Sequence, residues 1–278
     1  MNMGFLESLL YALVSGVTEF LPVSSQAHGA ILRRIFGVTG QIPLLDLFVH
    51  IGVLLAVYFG TSSYIMRLSK EHNRKRLPRN RRRRNPDFQA MADMALCRSA
   101  LIPLLLGFLL YPIASSFHSR LNYVAIFLLL NGIILIVPSY LPRGNKDSRN
   151  MTRFDGVLMG IAGALAVFPG ISRVGAISSF AVARGADPKQ ALRWNLLLSI
   201  PVLAAWIVLD IYLLIATGFA GVNFLAILIA IVSAAVACGG ASLAIVLVRF
   251  VCEQIGFSNF SYYAWGAALF SFVLYMTI

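Results

Sequence analysis

The chain has 278 residues, of which 59% are hydrophobic and only 12% charged, about half the charged share of an ordinary soluble domain. That composition excludes a soluble globular enzyme and places the chain in a membrane. The formal net charge of +12 does not point to nucleic acid, because most of the excess lies in one stretch, RLSKEHNRKRLPRNRRRRN, over residues 67–85; a basic loop beside a membrane span ordinarily marks the cytoplasmic side and attracts anionic headgroups.

The first apolar stretch, residues 5–35, is interrupted by VTEFLPVSSQAHG at 17–29. It carries Glu7 and lacks the charged leader and small-residue cleavage site of a signal peptide, so it is expected to be retained. A proline and two serines at membrane depth free backbone groups that protein or cavity water must satisfy, which predicts a re-entrant helical hairpin rather than a span. Crossing the hydrocarbon core takes about 20 apolar residues, and 44–66 supplies them next. A basic loop is expected over 67–98, followed by spans at 99–117 and 121–141. A second broken stretch, 155–182, is interrupted by FPGISRVG at 168–175 and predicts a second hairpin. Spans at 194–217, 221–249 and 259–278 complete the chain. Cys97, Cys238 and Cys252 are odd in number and widely spaced, which suits core packing rather than a disulfide framework or a metal site.

The expectation is therefore an all-α polytopic membrane protein, one integral membrane domain over 1–278, with six transmembrane helices and two re-entrant hairpins. Its halves correspond. A shift of 148 residues pairs Phe20 with Phe168, Ser24 with Ser172, Gly37 with Gly185, Leu44 with Leu192, Leu55 with Leu203 and Ala56 with Ala204 without a gap. If the arginine-rich loop is cytoplasmic, the first hairpin enters from outside and the second, after the basic link 143–153, from inside. Repeat 1, about 5–141, and repeat 2, about 155–278, then form an inverted-topology pair, the architecture in which broken helices meet near the midplane and build a polar site.

An ionisable residue at membrane depth costs roughly 2.5–3.5 kcal/mol and signals function. Glu19 and His28 lie in the first break and Arg173 in the second, with hydroxyls from Ser24, Ser25 and Ser172. Arginine's planar fork suits phosphate oxygens, and exposed amides at helix breaks add an anion site, so convergence of the breaks suggests phosphate chemistry. Structural readings stand beside this one: Glu19 as an ion-pair partner of Arg173, Ser24 and Ser25 as helix caps, and His28 as a core residue one helical turn from the serines. Asp46 and His50 share a helix face and suit an accessory or structural role. Asp210 and Asn131 suit helix–helix hydrogen bonding, and Glu7 a place near the outer interface.

TEFLPVSS with His28, FPGISR in the second half and the LLLSIP run after it resemble the undecaprenyl pyrophosphate phosphatase family of bacterial membranes, associated with bacitracin resistance. The resemblance extends over nearly the whole chain. It implies removal of phosphate from a C55 polyprenyl pyrophosphate lipid, regenerating the carrier of cell-wall synthesis, in a pocket on the external side of the cytoplasmic membrane. It implies Glu19, Ser25, His28 and Arg173 as catalytic residues: Arg173 clamps pyrophosphate, Ser25 is the candidate nucleophile among Ser24, Ser25 and His28, and His28 or Glu19 takes its proton. Ser15, Ser24, Gly170, Ser172 and Gly175 would bind substrate, and a divalent cation, Mg²⁺ or Ca²⁺, would bridge Glu19 and the phosphates. The chain departs from the family pattern in Ser15, where a first motif glutamate is usual, in Gln26-Ala27 for TG, and in Val174 and Ile177 for hydroxyl residues. Those departures leave an alternative reading, a catalytically reduced relative that binds or translocates polyprenyl phosphate, and behind it a scaffold with a vestigial pocket. No nucleic-acid partner is expected, and the oligomeric state is left open.

Overall fold

The computed structural model describes residues 3–38, 40–76, 78, 85–254 and 256–277. All elements among them are helices: α1 (Phe5–Phe20), α2 (Ser25–Ile35), α3 (Pro43–Arg76), α4 (Phe88–Leu106), α5 (Tyr111–Ser115), α6 (Leu121–Ile136), α7 (Arg153–Ala164), α8 (Arg173–Ala183), α9 (Pro188–Ala216), α10 (Phe224–Gln254) and α11 (Phe260–Thr277).

Both predicted breaks are present. α1 ends at Phe20, Pro22 sits in the turn, and Ser24 opens α2 with its hydroxyl accepting from Ala27 N at 3.4 Å. In the second hairpin α7 starts on a capping box of Thr152 and Asp155, passes through a 3₁₀ turn at Leu165–Val167, and gives way to α8, capped by Ser172 accepting from Gly175 N at 3.1 Å. A hydroxyl at the N-cap satisfies a donor that the helix itself leaves unpaired. The 148-residue shift carries the bounds of α2 onto those of α8, and the first residue of α1 onto the first of α7.

Among the described residues five helices are long and apolar enough to cross a membrane: Pro43–Arg74, Phe88–Ser115, Leu121–Tyr140, Pro188–Ala216 and Phe224–Cys252. The chain is thus an all-helical, multi-pass membrane protein. The sixth expected span, 259–278, corresponds to α11, an 18-residue helix in which Tyr262, Tyr263 and Trp265 dilute the apolar character. The predicted loop at 67–98 needs correction, since α3 continues to Arg76 and α4 already begins at Phe88. Charge ends a hydrophobic run without ending a helix. Glu71 pairs with Arg74 one turn on at 2.6 Å, and Arg67 grips Asp87 through two nitrogens at 2.6 and 2.8 Å. Asp87 in turn caps α4 through Ala90 N. Residues 77 and 79–84 of the arginine run lie outside the described residues.

α1 lies along α10, α7 along α4 and α6 along α11, with α3 packed between α9 and α10. The first of these contacts is close enough that a Cβ on Gly16 would stand 2.4 Å from the Ala237 carbonyl oxygen, so a small residue is required where the helices touch. The main core, with Phe20, Leu45, Val53, Leu203 and Ile245, joins α1, α3, α9 and α10. Large apolar side chains such as Phe59, Phe224, Leu243 and Tyr262 point outward, as a lipid-facing surface requires.

Candidate active site

The two breaks are knitted together. Ser24 Oγ accepts from Gly170 N at 3.1 Å, and Ser172 Oγ donates to the Leu21 carbonyl at 3.3 Å. Between them lies Asn131 of α6, fully buried, whose Nδ2 donates to the Pro22 carbonyl at 3.1 Å while its Oδ1 accepts from Ser172 N at 2.9 Å. Backbone groups freed by the breaks thus find partners on the opposite hairpin, as burial away from water demands. Gly170 has φ +131°, and a Cβ there would lie 2.4 Å from Phe127 Cβ, which restricts the position to glycine.

Arg173 is the first residue of α8 and is 7% exposed. Its Nη2 donates to Glu19 Oε1 at 2.9 Å, and Nη1 donates to Asn195 Oδ1 at 3.3 Å and to Ser199 Oγ. Asn195 is itself tied to the Val174 carbonyl and Ser178 Oγ, so the guanidinium is held from α1 and α9. The other carboxylate oxygen of Glu19, Oε2, accepts from Ser25 Oγ. Arginine, carboxylate and serine hydroxyl therefore form one continuous line across the two hairpins.

That line walls a small inner chamber of about 50 Å³, shared with Thr18, Ser24 and Ser172. Glu19, Ser25, Gln26, His50 and Trp206 also wall a second cavity of about 400 Å³, which Tyr11, Ser15, Arg33, Asp46, His118 and Asp210 help to line. In it Tyr11 donates to Asp46 at 2.7 Å, with Arg33 3.8 Å from the same carboxylate. His50 Nδ1 meets Asp210 Oδ2 at 2.6 Å. His118, in the link after α5, holds Gln26 Oε1 at 3.2 Å, and burial together with nearby Arg33 pushes its pKa down to about 4.

The model of the family described as bacitracin resistance protein BacA matches residues 8–270. The chain belongs to that family. It is 30% identical over 264 residues to an undecaprenyl-diphosphatase of Alkaliphilus metalliredigens (strain QYMF), covering 93% of this chain and 94% of the relative. It is 32% identical over 213 residues to one from Carboxydothermus hydrogenoformans, covering 75% and 74%. A third, from Halothermothrix orenii, is 24% identical over 270 residues, 96% of each chain.

In this BacA family member the structure brings together Glu19, Ser24, Ser25, Ser172 and Arg173, and places Ser15 on the adjoining cavity wall. His28 goes elsewhere. Its Nδ1 donates to the Ser24 carbonyl at 2.8 Å and its Nε2 accepts from Tyr263 Oη at 2.7 Å, with the two rings stacked. Both nitrogens are engaged, and the residue lines neither chamber, whereas the Glu19 carboxylate accepts a hydrogen bond from Ser25. The amides of Gly170 and Gly175 donate to Ser24 and Ser172, so the two glycines shape the breaks and line neither chamber. Val174 and Ile177 are fully buried in hydrophobic clusters and are absent from the chamber walls, so the missing hydroxyls do not strip the site. His50, expected as accessory or structural, and Asp210, expected as a helix–helix contact, are the additions. Their shared membrane depth was the available signal; their pairing across 160 residues was not.

Among the described residues no three His, Cys, Asp or Glu side chains cluster to hold a metal ion. Among the described residues Glu19 is the one carboxylate on the inner chamber wall, so it is the group there that could hold a hard cation.

Proposed function

We propose that this BacA family member is an undecaprenyl-diphosphatase that removes the terminal phosphate of undecaprenyl pyrophosphate and so regenerates the C55 carrier lipid of cell-wall synthesis. The observation that carries this reading is the line Arg173–Glu19–Ser25, assembled from both halves of the chain at the wall of a buried chamber. Arg173 holds the terminal phosphate and stabilises the charge that develops during transfer; a preorganised donor of this kind accounts for about 100- to 1000-fold in rate. Ser25 is the nucleophile and Glu19, already its hydrogen-bond acceptor, takes its proton. Ser24 and Ser172 have their hydroxyls bound within the knitted breaks and serve to hold the geometry. Glu19 would be the residue to hold a divalent cation, Mg²⁺ or Ca²⁺, which would supply neutralisation of the pyrophosphate charge. A protein that only binds or moves the lipid has no use for a serine hydroxyl already bonded to a buried carboxylate, so hydrolysis is the better reading.

The same reading includes topology: six crossings and two re-entrant hairpins in an inverted repeat, set in the cytoplasmic membrane with the arginine-rich segment inside and the large cavity open outside. In support, exchanging α1 with α7, α3 with α9, α4 with α10 and α6 with α11 turns the α1–α10 contact into the α7–α4 contact. It returns the α3–α9 and α6–α11 contacts to themselves, as a two-fold requires. Cysteines introduced at exposed Ser119 and Asn145 are expected to label from outside and inside respectively. The deciding experiment for activity is phosphate release from C55 pyrophosphate by purified protein in detergent, with and without Mg²⁺ or Ca²⁺, beside Arg173→Ala and Ser25→Ala. Release that depends on both residues is expected. No release, with the lipid still bound, overturns the hydrolase in favour of a binding or transport protein.

A further inference from the structure

One imidazole faces the chamber and has no part in the steps above. His50, on α3, lines both the inner chamber and the larger cavity. Its Nδ1 lies 2.6 Å from Asp210 Oδ2 on α9, and its ring stacks on Trp206 with centroids 5.8 Å apart and planes 16° apart. An ionised carboxylate only accepts hydrogen bonds, so the Nδ1 position carries the hydrogen and the lone pair of the neutral ring lies on Nε2. Among the described residues Nε2 has no hydrogen-bond partner, and the side chain is 22% exposed, open to water from the cavity. The other carboxylates and the second imidazole of this region have partners: Glu19 meets Arg173 and Ser25, Asp46 meets Tyr11 and Arg33, and His118 holds Gln26 through Nε2.

The proposed chemistry needs such a group. When Ser25 Oγ attacks the terminal phosphorus, its proton passes to Glu19, the bond to the bridging oxygen breaks, and polyprenyl phosphate leaves. Glu19 is then protonated beside the new phosphoserine. It can return its proton to the departing Oγ, but it cannot also deprotonate the water that must attack. We infer that His50, positioned by Asp210, is the base that activates this water. The water oxygen bonds to phosphorus as one of its protons moves to Nε2; the P–Oγ bond breaks, Oγ takes its proton from Glu19, and inorganic phosphate departs. His50 then releases its proton to water in the larger cavity, and the enzyme is restored. Asp210 does not touch the reacting atoms: it is a positioning residue that fixes the tautomer and the ring.

This inference rests on the phosphatase reading with Ser25 as nucleophile, and the test separates the two. Purified full-length protein in detergent is mixed with C55 pyrophosphate labelled in its terminal phosphate, then quenched, and both free phosphate and labelled protein are counted. Wild type is expected to release phosphate with little label retained. His50→Gln should lose about 100-fold or more in turnover, within the range of general base catalysis, and accumulate label on the protein, which Ser25→Ala in the same background removes. Asp210→Asn should show a smaller loss with the same accumulation, a readout that a purely structural defect does not move and one that serves should His50→Gln fail to fold. Loss of turnover without labelled protein in a folded variant overturns the inference, as does unchanged turnover in His50→Gln. If the wild type itself releases nothing, the phosphatase reading fails first and the inference falls with it.

Discussion

Arg173 Nη2 stands 2.9 Å from Glu19 Oε1 although 154 residues separate them, and both side chains are nearly buried, at 7% and 12% exposure. Removing one partner of such a pair leaves an uncompensated charge at a cost of about 3–5 kcal/mol. Arg173→Ala is therefore expected to lower the thermal midpoint in detergent as well as to abolish phosphate release. Arg173→Lys keeps the charge but has no fork to span Glu19, Asn195 and Ser199. It should recover much of the thermal midpoint while turnover stays down by about 100-fold or more. Equal turnover in the lysine variant and wild type would show that charge alone suffices and that the fork is incidental.

Asn131 carries a second prediction. Its amide reaches from α6, outside both hairpins, and bonds to both breaks, through Pro22 O and Ser172 N. Asn131→Leu fills a similar volume and leaves a buried carbonyl and a buried amide without partners, each at about 1–3 kcal/mol. A marked fall in thermal midpoint is expected, together with reduced turnover, since Ser172 precedes Arg173. A thermal midpoint unchanged from wild type would mean that water replaces the amide and that the breaks do not depend on it.

Much of this site was legible from the chain. Pro22 and the FPG sequence mark the breaks because proline cannot continue a helix without freeing a backbone carbonyl and Gly170 takes a positive φ that other residues rarely adopt, and Glu19 and Arg173 stand out because charge at membrane depth is costly. Asp210 reads as a helix–helix hydrogen-bonding group and meets His50 of the neighbouring helix, whereas Asn131, read the same way, bonds to the turn at Pro22 and to the N-cap Ser172. What failed depends on side-chain direction and on distant pairing. His28 lies one turn from Ser24, yet its ring turns back to the Ser24 carbonyl and out to Tyr263 on α11, a partner 235 residues away. His50 and Asp210 meet only because α3 and α9 pack side by side, which no local pattern encodes. The ends of α3 and α4 were misplaced because hydropathy reports where the chain is apolar, while Glu71–Arg74 and Arg67–Asp87 pairs continue the helix into water.

His118 gives a pH dependence. It lies outside the membrane-spanning helices, and burial together with Arg33 holds its pKa near 4, below the ordinary 6.5. Between those values the unfolded chain binds a proton that the native chain does not, so stability falls as pH drops from about 6.5 to about 4 and the loss levels off below. Carboxylates titrate near the lower end of the same window, so the informative quantity is a difference: the thermal midpoint of wild type should drop further between pH 7 and pH 4 than that of His118→Gln. Parallel curves would remove His118 as a source of the acid sensitivity.

The last prediction concerns the cation. Among the described residues Glu19 is the one carboxylate on the inner chamber wall, and both of its oxygens already accept from Arg173 and Ser25. A site with so few ligands binds a hard cation weakly until phosphate oxygens complete the coordination. Protein washed with EDTA should therefore keep its thermal midpoint, and Mg²⁺ or Ca²⁺ alone should not raise it, because a ligand stabilises a fold only in proportion to its binding. Phosphate release should nevertheless require added cation. A raised midpoint with cation and no lipid would establish a resident metal with ligands beyond Glu19, whereas full turnover in EDTA would leave Arg173 to neutralise the pyrophosphate unaided.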